Sequence, residues 1–103
     1  MKNQTFGIEI EMTAITREHA AQVIAAHFGT AVEYIGGTYD TRIARDTQGR
    51  AWKVVSDSSI ADDWAKQTEV VSPICRWDDI ETVQELTRKL RAAGAKAHPS
   101  CGI

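Results

Sequence analysis

The stretch Phe6-Gly7-Ile8-Glu9-Ile10-Glu11-Met12 decides how the rest of the chain is read. Successive side chains of a strand point to opposite faces, so Phe6, Ile8, Ile10 and Met12 face a core while Glu9 and Glu11 share the other side. Residues two apart on one face lie about 7 Å from each other. Carboxylates at that spacing can hold a hard cation such as Mg²⁺ or Ca²⁺, which takes oxygen ligands. The same alternation describes a half-solvated strand with two exposed glutamates, and by itself it favours that plainer reading.

Working outward, Thr16 is the expected N-cap of a helix over 17–28, in which Ala20, Val23, Ile24 and Phe28 recur at helical spacing. Arg17, Glu18 and Gln22 are expected to face outward, and Gly29 occupies the position that closes such a helix. His19 and His27 have no acidic partner three or four residues on, so surface or helix-end positions are expected rather than metal ligation. Residues 31–35, 41–45 and 51–57 read as strands separated by Gly36-Gly37 and by Asp46-Thr47-Gln48-Gly49. Connections this short suit an antiparallel meander, because parallel crossovers need about a dozen residues. Gly36-Gly37 therefore reads as a hairpin turn rather than a phosphate-cradling loop, since no helix follows it.

Ser56-Asp57-Ser58-Ser59-Ile60 is rich in residues that hold turns through their own side chains, and 61–67 reads as an irregular excursion. Residues 68–72 form a further strand stopped by Pro73, which places Glu69 near the point where Asp57 leaves its own strand. A second helix begins at an acidic box of Asp78 and Glu81. Ile80, Val83, Leu86 and Leu90 form its apolar stripe, and Arg88, Lys89 and Arg91 complement its carboxyl end before Gly94. Trp77 is expected to staple the start of this helix, and 95–97 to begin one more strand.

At 103 residues the chain is a single domain, 1–103, with 43% apolar and 25% charged residues. A net charge of −2 with scattered Lys and Arg gives no nucleic-acid footprint. No run approaches the roughly 20 apolar residues that span a membrane. A cytoplasmic protein is expected, with Cys75 and Cys101 as reduced thiols that behave as small buried hydrophobes.

Gly7-Ile8-Glu9-Ile10-Glu11, then Trp52-Lys53-Val54-Val55-Ser56-Asp57-Ser58-Ser59-Ile60, then Glu69-Val70-Val71-Ser72-Pro73-Ile74, a helix, and Gly94-Ala95 before Ser100-Cys101-Gly102-Ile103 follow one another in the order of the amidoligase family. The chain resembles that family, which belongs with carboxylate-amine ligases of the glutamine synthetase and glutamate-cysteine ligase type. The resemblance implies an α+β domain with a curved antiparallel sheet and two helices packed on one face, part of a glutamine synthetase-like fold. It also implies ATP-dependent amide-bond formation, in which a substrate carboxylate is phosphorylated by ATP with Mg²⁺ and then attacked by an amine. On that resemblance Glu9 and Glu11 match a Glu-x-Glu pair that ligates Mg²⁺, and Glu69 matches a later acid facing the same site. Asp57 and Ser59 match an Asp-x-Ser element at the substrate or nucleotide pocket, and Lys53 is placed to meet a phosphate.

Family members continue past the Cys-Gly pair with a His-x-His motif, whereas this sequence stops at Ile103, so it is expected to correspond to an amino-terminal part of the fold, truncated and of doubtful activity alone. The expected partners are a small-molecule or peptide carboxylate and an amine, with no nucleic acid and no membrane. A sheet cut short leaves an unpaired edge, so a homo-oligomer formed through that edge is expected. The competing reading is a non-catalytic binding or oligomerisation domain that keeps half of the ligase fold. Plainer roles stand beside each site residue: Glu69 pairing with Lys53 or Arg50, and Asp57 and Ser59 holding a turn.

Overall fold

Alternation carries through into the folded chain. In the computed structural model, which describes residues 4–56 and 67–102, β1 spans Gly7–Thr13, with Ile8, Ile10 and Met12 buried and Gly7, Glu9 and Glu11 exposed. Phe6 lies just before it, bridged to Cys75 by reciprocal amide–carbonyl bonds of 3.0 and 2.8 Å.

Helix α1 (Arg17–Phe28) starts where the Thr16 side chain accepts the His19 amide at 3.1 Å and ends at Gly29, whose φ of 73° lies in the left-handed region that glycine adopts without strain. Ala20, Ala21, Ile24 and Ala25 are its buried face, with Val23 and Phe28 packed beside them. Arg17 departs from expectation. It is buried, not outward, because its Nε donates to Asp40 Oδ2 and its Nη1 to the Gln67 carbonyl, both at 2.8 Å. A buried guanidinium is tolerated when its donors are matched in this way.

The remaining strands are β2 (Val32–Gly36), β3 (Thr41–Arg45), β4 (Ala51–Val55), β5 (Thr68–Val71) and β6 (Lys96–Gly102). They form one open antiparallel sheet in the order β2-β3-β4-β5-β1-β6. The expected meander is β2 to β5, and β1 is inserted between β5 and β6. Gly36 and Gly37, at φ of 79° and 76°, turn the β2–β3 hairpin as read from the sequence. The α+β expectation holds: α1 packs on β3 and β4, and α2 (Ile80–Ala92) packs on β6 and on α1. Between these helices and one sheet face lies a core that includes Ile10, Met12, Ile24, Trp52, Val54, Val70, Leu86 and Leu90, each fully or almost fully buried. Truncating Trp52 to alanine there should cost about 3–5 kcal/mol.

A 3₁₀ turn (Trp77–Asp79) precedes α2 and shifts its start by one residue. Asp79, not Asp78, therefore closes the turn: its carboxylate accepts the Arg76 amide at 2.8 Å and holds Arg50 at 2.8 and 3.1 Å. Trp77 does not staple the helix; it is 61% exposed. The last strand is longer than read, running through His98-Pro99-Ser100. Proline is tolerated there because β6 is an edge strand. Cys75 is buried as expected, whereas Cys101 is exposed near the end of that edge. Asp57, Ser59 and all of the expected 61–67 excursion except Gln67 lie outside the described residues.

Candidate functional site

Directly paired residues of an antiparallel sheet point to the same face. Two rows therefore cross the face that the helices leave uncovered. One runs His98–Glu11–Glu69–Val55 over β6, β1, β5 and β4. The other runs Ser100–Glu9–Val71–Lys53–Ile43–Glu33 over all six strands.

Register thus brings Glu9, Glu11 and Glu69 onto one face. Glu11 and Glu69 are direct neighbours, with Cβ atoms about 5 Å apart, and Glu9 lies about 7 Å along the strand from Glu11. Lys53 shares the face, two strands from Glu9, at about 10 Å. Glu9, Glu11 and Lys53 are exposed, and Glu69 is half-buried. Among the described residues, the side chains of Glu9, Glu11, Lys53 and His98 carry no hydrogen bond or ion pair. Pairing of Glu69 with Arg50 is ruled out as a structural role, because Arg50 is committed to Asp46 at 2.9 Å and to Asp79 at 2.8 Å.

The stronger ion networks sit at hairpin turns and helix ends. Asp40 binds Arg42 at 2.7 Å and Arg17 at 2.8 Å, and the Arg42 hydrogen bond is the main reason its carboxyl is lowered to about 2, against the cost of burial. Burial pushes Asp46 upward, yet hydrogen bonds from the Trp52 indole and from the Arg50 and Gln48 amides outweigh it and leave the group below its ordinary value. His27 is lowered, first by burial and then by the nearby Lys89 charge, with Glu85 opposing. These groups tie elements together across the hairpin turns and helix ends.

Sequence reasoning missed His98 and Ser100 as members of that face. Their signal was the alternation of Ala95 and Ala97 with Lys96, His98 and Ser100, and Pro99 obscured it.

A family model described as "Putative amidoligase enzyme" matches residues 2–103. The chain belongs to this amidoligase family. No curated protein and no solved structure matches it. Among the described residues, no helix is long and apolar enough to cross a membrane. Nor do three or more His, Cys, Asp or Glu side chains converge there into a ready-made metal site. Mg²⁺ seldom uses an all-protein cage; it keeps several waters and takes one or two carboxylates together with substrate phosphates. The sheet face offers hard carboxylate oxygens with a lysine across it, a donor set compatible with an open arrangement of that kind.

Proposed function

We propose that the open sheet face is where this amidoligase holds Mg²⁺ and ATP for joining a carboxylate to an amine. The supporting observation is the direct apposition of Glu11 and Glu69, with Glu9 beside them, on a face with no helix over it among the described residues. Like charges directly opposite each other across a strand pair are destabilising, and a cation between them would convert that penalty into binding energy. Glu9 and Glu11 would hold the ion, with Glu69 alongside. When bound, Mg²⁺ supplies charge neutralisation to transferring phosphates.

The chain's own residues provide position and charge. Lys53 lies far enough along the face for its ammonium to meet phosphate oxygens rather than the acids. Val55, Val71 and Ile43, half-buried between the charged groups, give the face an apolar floor on which a flat ligand can rest. Asp57 and Ser59 enter this reading as substrate- or nucleotide-binding residues through the family pattern alone. A small-molecule or peptide carboxylate and an amine are the substrates that follow from amide ligation. A cytoplasmic setting, supported by Cys75 and Cys101 standing outside any disulfide, completes the reading.

Calorimetric titration tests it. Mg²⁺ with ATP should bind the wild type, and Glu9→Gln plus Glu11→Gln should weaken that binding at least about tenfold, or about 1.4 kcal/mol. Lys53→Ala should weaken ATP while sparing the cation. Equal binding by wild type and the double variant would remove the proposal, and nucleotide binding without turnover on any acid and amine would favour the non-catalytic reading.

A further inference from the structure

The helix side of the molecule carries a feature that neither the core nor the open face explains. Trp77 is 61% exposed, and it lines a cavity of about 420 Å³ together with Asp78, Ile80 and Glu81. A second cavity, of about 360 Å³, is lined by Val83, Gln84, Thr87, Arg88, Arg91 and Pro99. Glu81, Gln84, Arg88 and Arg91 succeed one another at three- and four-residue steps along α2, and Trp77, in the preceding 3₁₀ turn, shares its hollow with Glu81, so both hollows lie along one flank.

The two ends of this flank are opposite in charge. Asp78 and Glu81 stand at one end and Arg88 and Arg91 at the other. Among the described residues, Asp78, Glu81 and Arg88 have no ion pair. The helix dipole accounts for acids early and bases late. It does not account for a solvent-facing tryptophan beside the acids or for an apolar-walled hollow beside the bases.

We propose that this flank docks a second copy of the chain about a two-fold axis passing near Gln84. Arg91 lies seven residues beyond Gln84, about 10 Å along the helix, and Trp77, seven residues before it across the 3₁₀ turn, lies about 12 Å the other way. Antiparallel apposition therefore brings each Trp77 to the other copy's Val83–Pro99 hollow and sets Glu81 beside Arg88. The Arg91 guanidinium is already held by two bonds to the Ala97 carbonyl, at 3.1 and 2.6 Å, and offers its face to the indole. Such a contact is self-complementary and closes at two copies. Tryptophan and arginine are the residues that most often anchor interfaces.

The sheet edge next to α2 is the weaker competitor. Pro99 has no N–H to offer an incoming strand, and Arg91 already occupies the Ala97 carbonyl. The α2 flank lies on the helix side of the sheet, so the proposal does not depend on the ligase reading.

Sedimentation equilibrium in reducing buffer, which excludes cross-linking through exposed Cys101, gives the test. A dimer should be populated by about 100 µM. Trp77→Ser, at an exposed position, should weaken it about tenfold or more while leaving thermal unfolding in place. Glu81→Arg and Arg88→Glu should each weaken it about tenfold, and the two together should restore it to within about threefold. A wild type that stays monomeric, a dimer indifferent to Trp77→Ser and so seated elsewhere, such as at the β2 edge, or a double reversal no better than the single ones would overturn the proposal.

Discussion

Neutralising Glu11 should make the apo protein more stable and less responsive to cations. Glu11 and Glu69 are directly paired across β1 and β5 on the face opposite the two helices. Two unit charges about 6 Å apart repel by about 0.7 kcal/mol in a water-like dielectric, within the range of about 0.2–1 kcal/mol for cross-strand pairs. Glu69 is half-buried, which strengthens the repulsion, while a partner of its own offsets part of it. Glu11→Gln should therefore raise the unfolding free energy by about 0.5 kcal/mol or more in cation-free buffer. With Mg²⁺ or Mn²⁺ at ten times its dissociation constant, the wild type should gain about 1.4 kcal/mol by mass action, and the variant far less. The order of stabilities should reverse. Urea unfolding followed by tryptophan fluorescence measures both numbers, at low ionic strength because about 0.1 M salt screens charges beyond about 10 Å. A glutamine variant that is less stable without cation, or that gains as much from the cation as wild type, would refute the reasoning.

Other consequences can be measured in the same way. Arg17→Ala removes a buried guanidinium from the Asp40 carboxylate and the Gln67 carbonyl and should destabilise by about 3 kcal/mol or more in urea; Arg17→Lys should recover only part of this, because an ammonium cannot fork between the two acceptors. Ala14 sits at φ 65°, a left-handed conformation costly for a residue with a Cβ, so Ala14→Gly should stabilise by about 1 kcal/mol. His27 is lowered from 6.5 by burial and by Lys89. The unfolded chain then binds the extra proton first, so stability should be full above pH 6.5 and fall as pH drops below it, and His27→Gln should flatten that slope.

Much of the architecture was legible because it is written in local chemistry. The Thr16 cap, the Gly29 stop and the Gly36-Gly37 turn are set by what single residues can do with their own backbone. Alternation in the opening strand likewise fixed which side Glu9 and Glu11 take. Arg17 was misread because helical spacing carries no knowledge of Asp40 or of the Gln67 carbonyl, which reach it only after the sheet has formed. Trp77 and Asp78 were misread because one extra residue in a 3₁₀ turn moves the cap to Asp79 and frees the indole. His98 was overlooked because a proline in the run hides an edge strand.

The sequence by itself determined the elements, their two-residue and helical periods, and the family to which the chain belongs. Only tertiary structure decided that β1 lies between β5 and β6 and that the register sets Glu11 against Glu69 and His98. The reason is physical: strand order and register are chosen by burying Ile10, Met12, Val70 and their neighbours under two helices at once, a condition no local window of residues contains.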